Sequence, residues 1–278
     1  MPAGDARDDR VVTPPDLQEL ATTTARYPDL EGKVAFVTGG SRGIGAATCR
    51  ALGANGVRVG VVGLNESDDI TRIVGEVERL GGAAVGIAAD LTDSAQVSRA
   101  RDELEASLGP ADVVVAFAGG VTQLKPLHEI EEEDWRWIVR ANLDSTYLTL
   151  KEFLPGMIER RSGSIVTMGS TAARFLDSLT TAPYAAAKAG VVMATRHVAL
   201  EVAEYGIRVN CICPGTTHSE RVDAALSEEG VAAMEAITPL GRMGEPEDTA
   251  NAALFLASSS SSWITGASLD VNGGRVMM

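Results

Sequence analysis

Short apolar runs that close on glycine or another small residue alternate with segments of helical character along most of this chain, and that alternation restricts the fold more than any other feature. "KVAFVTGG", beginning at Lys33, reads as a buried strand ending in glycine. "GIGAATCRALGANG" follows as a helix closed by Asn55-Gly56. "VRVGVVG" is a second strand and "SDDITRIVGEVERLGG" a second helix with a Ser/Asp cap. "AAVGIAAD", "DSAQVSRARDELEASLG" and "ADVVVAFAGG" continue the rhythm as strand, helix, strand. A long helical stretch is expected from about Glu131 to Arg160, interrupted near Pro155. Next come a strand at "GSIVTMGS", a long helix over 182–205 and a strand at "IRVNCICPG". Residues 216–245 form an irregular or helical insertion, before a helix at "PEDTANAALFLASS" and a final short strand at "SLDVNGG". Strands separated by helices pair in parallel, with helices on both faces. The expected fold is therefore α/β: a doubly wound parallel β-sheet of about seven strands in three layers.

Residues 1–30 are polar, contain "TPPD" and show weak periodicity, except over Leu17 to Ala25, so they read as an N-terminal extension. Residues 31–278 then form one domain. Aromatic residues make up only 4% of the chain, so its core has to be built from Ala, Val, Leu and Ile. A formal charge of −14 argues against a nucleic-acid backbone or an anionic membrane as main partner, though not against a local basic pocket for a phosphate. Three cysteines, Cys49, Cys211 and Cys213, make no disulfide framework. Cys211 and Cys213 flank Ile212 in a strand and so share a face. They read as buried thiols, because other metal-ligand types do not accompany them, and no metal is expected. No apolar run reaches the length of a membrane span, and the charged start "MPAGDARDDR" lacks the apolar stretch of a signal peptide. The expected location is cytoplasmic.

A parallel sheet of this kind binds ligands beyond the carboxyl ends of its strands. After the first strand comes "TGGSRGIG", with Gly39, Gly43 and Gly45. Here free backbone N–H groups and a helix dipole attract phosphate, and glycines let a dinucleotide approach the backbone. The second strand ends in "VVGLNES", with Gly63 where an acid would bond the ribose hydroxyls and repel a 2′-phosphate. Arg42 in the glycine loop is either a partner for that phosphate or a solvated loop cation. Both features favour NADP over NAD. After the third strand, Asp90 either accepts from an adenine amine or caps the following helix, a task for which Asp93 or Thr92 is better placed.

"TAPYAAAKAG" places Tyr184 and Lys188 four positions apart in a run of alanines, on one face of a helix. A phenol beside an ammonium suits proton chemistry, and the alanines leave room for another molecule. The alternative is an accidental pair on a solvated helix. Trp135 and Trp137, two positions apart, are expected to face in different directions, one inward and one toward a partner or loop. Glu131, Glu132, Glu133 and Asp134 suit a helix N-terminus. His218 reads as a surface histidine.

Taken in order, these motifs resemble the short-chain dehydrogenases/reductases, over about residues 31–274. "TGGSRGIG" resembles the family's TGxxxGxG loop, and "PYAAAKAG" carries its YxxxK pair. Asn142 in "RANLDSTYL" and Ser170 in "SIVTMGS", 14 positions before Tyr184, match its helix asparagine and catalytic serine. "RVNCICPG" and "GASLDVNGG" match its turn after the sixth strand and its last strand. The resemblance implies a Rossmann-type fold and hydride transfer between a nicotinamide cofactor and a carbonyl or secondary alcohol. It implies Tyr184 as general acid in reduction and Lys188 on the nicotinamide ribose, lowering the phenol's pKa. It further implies Ser170 on the substrate oxygen, and Asn142 holding a water that links Lys188 to solvent. The implied cofactor-binding set is Gly39, Ser41, Arg42, Gly43, Ile44, Gly45, Asp90, Leu91, Ala118, Gly119, Asn142, Tyr184, Lys188, Pro214, Gly215, Thr217 and Ser219.

Three departures stand out. The family's Asn-Asn-Ala-Gly after the fourth strand is replaced by Ala116-Phe117-Ala118-Gly119, where apolar packing is expected to take over the tie between strands. Leu64 stands where NADP users often carry arginine, and Ser219 stands in for a carboxamide-contacting threonine. A small carbonyl or alcohol is the expected substrate. A 3-oxoacyl group on an acidic carrier protein is the second candidate, for which Arg160 and Arg161 supply one docking patch while Glu204-Tyr205 does not supply another. A nucleotide-binding regulator without catalysis is the third. Substrate choice is expected from residues 216–240 and the loops around 121–128 and 172–182, with Phe175, Leu176 and Leu179 as an apolar lining. The family is commonly tetrameric through its long helices, so a homo-oligomer, tetramer or dimer, is expected.

Overall fold

A computed structural model describes residues 16–121, 124–175 and 180–277. Leu176, Leu179 and the first fifteen residues lie outside them. Seven strands form a single all-parallel sheet: β1 (Val34–Thr38), β2 (Arg58–Gly63), β3 (Ala83–Ala88), β4 (Val113–Ala116), β5 (Gly163–Met168), β6 (Ile207–Pro214) and β7 (Ser268–Val271). Their order across the sheet is β3-β2-β1-β4-β5-β6-β7. The order reverses direction between β1 and β4, so a crevice opens beyond the carboxyl ends of these two strands.

Ten helices complete the described fold: α1 (Leu17–Thr23), α2 (Gly43–Ala54), α3 (Asp68–Arg79), α4 (Ser94–Leu108), α5 (Glu132–Val139), α6 (Ser145–Arg160), α7 (Ala182–Val202), α8 (Glu220–Ala225), α9 (Glu228–Ala236) and α10 (Pro246–Ala257). The alternation of side chains along each strand sorts the core into two layers. Ala35, Val37, Val59, Val61, Val113 and Val115 pack with residues of α2, α3 and α10 on one face. Val34, Phe36, Val62, Val114, Ala116 and Ile165 pack with α4, α6 and α7 on the other. The three-layer Rossmann-type arrangement is thus present, with a core of small and branched residues.

Local signals work as expected at most helix ends. Ser67 accepts from the Ile70 N–H, Asp93 accepts from Ala95 and Gln96, and Gly56 takes the positive φ of 72° that closes α2. The expected break near Pro155 is not there. Pro155 lies inside α6, on its exposed side, so the carbonyl it leaves unpaired, that of Lys151, is on the solvent flank. The long helical stretch is interrupted instead by a π-turn at Arg140–Asp144, which contains Asn142.

Residues 24–30 are tied to the body of the molecule. The Tyr27 N–H donates to Asn55 Oδ1 at 2.7 Å, Asn55 Nδ2 donates to the Ala25 carbonyl at 3.0 Å, and Leu30 is buried. Among the described residues no helix is long and apolar enough to cross a membrane.

Candidate active site

Thr38 ends β1 and the chain turns at once into the glycine loop. Gly39 has a φ of 65°, and a side chain there would press on the Phe117 carbonyl and Ala118 backbone. A Cβ at Gly45 would stand 2.1 Å from the Gly39 carbonyl oxygen, so the loop folds on itself only with glycine at that position. A Cβ at Gly43 would meet nothing within 4 Å, and this open side faces the start of α2. The Ser41 hydroxyl lies against Gly63, at the end of β2. Ile44 is partly buried and packs on the core behind the loop.

The tie between β1 and the "AFAG" segment is not apolar packing. The Thr38 hydroxyl accepts from the N–H groups of both Phe117, at 2.8 Å, and Ala118, at 2.9 Å. One oxygen therefore satisfies two backbone donors that the missing asparagines would leave for other partners.

Tyr184, Lys188 and Ser170 converge at the ends of β5 and β6. Lys188 is 3% exposed, and its Nζ donates to the Met168 carbonyl at 2.9 Å and lies 5.6 Å from the centre of the Tyr184 ring. Burial brings Lys188 down to about 8 from the usual lysine value. Burial also pushes Tyr184 above the ordinary phenol value, opposed by its hydrogen bond with the Ser170 hydroxyl and by the charge of Arg221. Lysine's ammonium contributes little to that balance, because it turns toward the Met168 carbonyl rather than the phenolic oxygen. Ser170 Oγ also accepts from the Ala172 N–H at 3.1 Å, which fixes the turn that carries it. Behind this turn, a Cβ at Gly169 would stand 2.8 Å from Cys213 Sγ and 2.9 Å from Cys211 Sγ. The two thiols are buried on one face of β6, as their spacing implied.

Asn142 is brought to the same place by the π-turn. Its Nδ2 donates to the carbonyls of Gly120 and Ile138, at 2.6 and 2.8 Å. Its Oδ1 is buried without a hydrogen-bond partner. A Cβ on Gly119 would fall 2.5 Å from this oxygen and 3.5 Å from Lys188 Nζ. An unsatisfied acceptor beside an ammonium, next to a glycine cradle open at Gly43, fits a nicotinamide dinucleotide and its ordered water.

The remaining predicted residues divide. Pro214 ends β6, and Gly215 after it abuts Asn272, where a side chain would press on the Asn272 backbone. Leu91 is buried. Asp90 Oδ1 accepts from both the N–H and hydroxyl of Thr92, while Asp93 caps α4. Thr217 Oγ1 donates to the Gly215 carbonyl, and Ser219 caps α8 by accepting from the Val222 N–H. Arg42 Nε bonds Asp69 Oδ2 at 2.7 Å, and the carboxylate raises the guanidinium's pKa. Leu64 is exposed. His218 is half-buried, with Nδ1 2.7 Å from Asp223 Oδ1, rather than a free surface group. Neither Trp135 nor Trp137 is buried. Ile138 supplies the inward face of α5, and the Trp137 ring covers Gly120. Thr38 and Arg221 were not singled out from the sequence. Thr38 had a signal in its place at the head of the glycine loop, while Arg221 had none.

A family described as enoyl-(acyl carrier protein) reductase matches residues 39–275. The 3-oxoacyl-[acyl-carrier-protein] reductase FabG of Escherichia coli is 36% identical over 250 residues, which is 90% of this chain and 100% of that one. The chain belongs to the short-chain dehydrogenase/reductase family. A 3-oxoacyl-[acyl-carrier protein] reductase of Brucella melitensis superposes with a TM-score of 0.86 at 35% identity, over 91% of this chain and 94% of that one. A second from the same organism, solved with bound NAD, gives 0.84 at 32% identity, over 95% and 97%. As a short-chain dehydrogenase/reductase, the protein is a nicotinamide-dinucleotide-dependent oxidoreductase acting on CH–OH or carbonyl groups.

Proposed function

We propose that this short-chain dehydrogenase/reductase reduces a small carbonyl compound, with Tyr184 as general acid, Ser170 and Lys188 as its partners, and NADPH as the preferred cofactor. The observation that carries the reading is the convergence of Tyr184, Ser170 and Lys188 beside Asn142 and Gly119, at the strand ends next to the glycine loop. The bound nicotinamide supplies the hydride. Tyr184 gives its proton to the substrate oxygen. Its raised pKa keeps it protonated at neutral pH, which suits reduction more than the reverse reaction. The Ser170 hydroxyl holds that same oxygen, fixed by its bond from Ala172. Lys188, at about 8, exchanges protons readily near neutrality, and the free Oδ1 of Asn142 orients a water beside it.

The preference for NADPH is supported by the absence of an acid at Gly63 and by Arg42. Asp69 engages Arg42 through Nε, and the exposed terminal nitrogens take no partner among the described residues. Reduction of a 3-oxoacyl group on a carrier protein is the second reading, favoured by the relatives. Arg160 and Arg161 weigh against it. Arg160 donates to the Ala111 carbonyl and Arg161 to the Glu204 carbonyl, so both guanidinium groups bind main-chain atoms of their own chain. Assembly through α6 and α7 is supported by exposed Tyr147, Met193 and Leu200, and a reducing, cytoplasmic setting by three free thiols.

The test is to follow loss of the reduced nicotinamide's absorbance with NADPH or NADH and a panel of ketones. Turnover with a clear preference for NADPH is expected. Cofactor binding without turnover on any ketone supports the regulator instead, and an NADH preference refutes the role of Arg42.

A further inference from the structure

Ser170 opens a tight turn over Thr171–Ala173 that follows β5. The turn is closed by its own main chain. The Ala173 N–H donates to the Ser170 carbonyl at 3.0 Å, and those of Arg174 and Phe175 donate to the Thr171 carbonyl at 3.0 and 2.8 Å. Its near end is rooted in the sheet, where the Gly169 N–H donates to the Ile212 carbonyl of β6 at 2.8 Å. Its far end is held by a side chain. Arg174 ends the turn, and a terminal nitrogen of its guanidinium pairs with Asp270 Oδ1. Asp270 stands on β7, beside Cys213 of β6. Since β6 lies between β5 and β7, the pair links the turn after β5 to a strand two places along the sheet, at its edge.

The pair is enclosed. The Arg174 side chain is 15% exposed and that of Asp270 21%, and among the described ion pairs only Arg50–Glu76 is more enclosed on both sides. Arg174 Nε is buried without a hydrogen-bond partner among the described residues. A buried donor that lacks an acceptor costs stability, and taking two charges out of water costs more. Apolar side chains of similar volume would join β7 to this turn at less cost. What the charged pair adds is direction, since its bond is made in one geometry and lost outside it. Ala173 packs on the cluster of Val191, Val192, Cys211 and Cys213, which supports the turn from below. Apolar contact of that kind is non-directional and does not fix the turn's rotation. Arg174 lies four positions after Ser170, so a shift at one end of so short a turn passes to the other. At that other end the Ser170 hydroxyl accepts from the Ala172 N–H and bonds Tyr184.

We propose that Arg174, through Asp270, is a positioning residue for Ser170: the pair holds the turn so that the serine hydroxyl stays aligned with Tyr184 and the substrate oxygen. This rests on the reductase reading of the Tyr184 site and adds to it two residues, one of them on the edge strand. Arg174 acts only through the turn, so losing the pair slows the chemical step and leaves the glycine loop and its dinucleotide undisturbed. A misplacement of about 1 Å at a reacting group costs on the order of a hundredfold in rate, so the loss is readable.

The experiment is a double-mutant cycle in the full-length protein, with R174Q and S170A alone and combined, and with D270N and the apolar pair R174M/D270L beside them. Turnover of a ketone that the wild type reduces with NADPH, NADPH affinity and melting temperature are measured for each. R174Q and D270N are each expected to lower kcat at least about tenfold, with NADPH affinity within about threefold of wild type. In the S170A background R174Q is expected to lower kcat less than about twofold further, because the group it positions is gone. R174M/D270L is expected to melt no lower than wild type yet lose kcat as R174Q does, and it decides the question if a single variant does not fold. Losses of R174Q and S170A that multiply overturn the proposal in favour of a general effect on the fold. Full kcat in R174M/D270L overturns it as well, since packing then suffices. A low kcat in S170A beside a normal one in R174Q sinks the proposal alone. Wild-type kcat in S170A, or no turnover of any ketone by the wild type, removes the reductase reading's use of Ser170 and the proposal together.

Discussion

Tyr184 and Lys188 are both perturbed by burial, but the two shifts have different consequences. Replacing Tyr184 with Phe removes the proposed proton donor while leaving the ring's packing. The expected result is a loss of about 10²–10⁴ in kcat with NADPH affinity changed by less than about threefold, read from steady-state rates and cofactor titration. Lys188 is held near 8, below its unfolded value, so burying its ammonium opposes folding at neutral pH. Between about pH 8 and 10.5 the unfolded chain binds the extra proton, and this group's contribution to stability therefore rises with pH. Lys188→Met should abolish turnover yet stabilise the fold at pH 7, by roughly 1–3 kcal/mol, with the gain shrinking by pH 10. Thermal melts of the two proteins at both pH values decide it. Equal differences at pH 7 and pH 10 would show that the ammonium is not the cause.

The elements around the site are joined by single polar atoms. Thr38 Oγ1 serves two backbone donors of the segment after β4. Thr38→Val keeps the shape and leaves both N–H groups without their acceptor, at an expected cost of about 2–4 kcal/mol in denaturant unfolding, while Thr38→Ser should lose under about 1 kcal/mol. If valine is tolerated as well as serine, apolar packing holds these strands after all. The π-turn at Arg140–Asp144 is a second case. It aims Asn142 inward between α5 and α6, and the buried thiols behind Gly169 are a third contact, packed against the turn that carries Ser170. Helix and strand positions were legible because their period matches their burial. The π-turn was not, since nothing in "VRANLDST" distinguishes a π-turn from ordinary helix until the packing of Ile138 and Gly120 draws Asn142 in.

Across the whole molecule, 38 acidic residues face 24 basic ones, and several arginines are drawn into pairs such as Arg50–Glu76, Arg101–Glu152 and Arg242–Asp248. Surplus negative charge repels itself in the compact state. The melting temperature is expected to rise by a few degrees between 10 and 150 mM salt, because screening weakens that repulsion over distances beyond about 10 Å. A fall instead would mean that the pairs outweigh it.

Local periodicity and glycine placement determined the sheet, its parallel strands and the loop that faces a dinucleotide, because burial and backbone conformation depend on neighbours a few positions away. The spacing of Ser170, Tyr184 and Lys188 named the candidate groups for the same reason. Only the tertiary structure decided what surrounds them: that Lys188 turns to the Met168 carbonyl and that Arg42 shares its charge with Asp69. Those outcomes depend on residues dozens of positions apart meeting at the strand ends, where burial sets each pKa and distance sets each field.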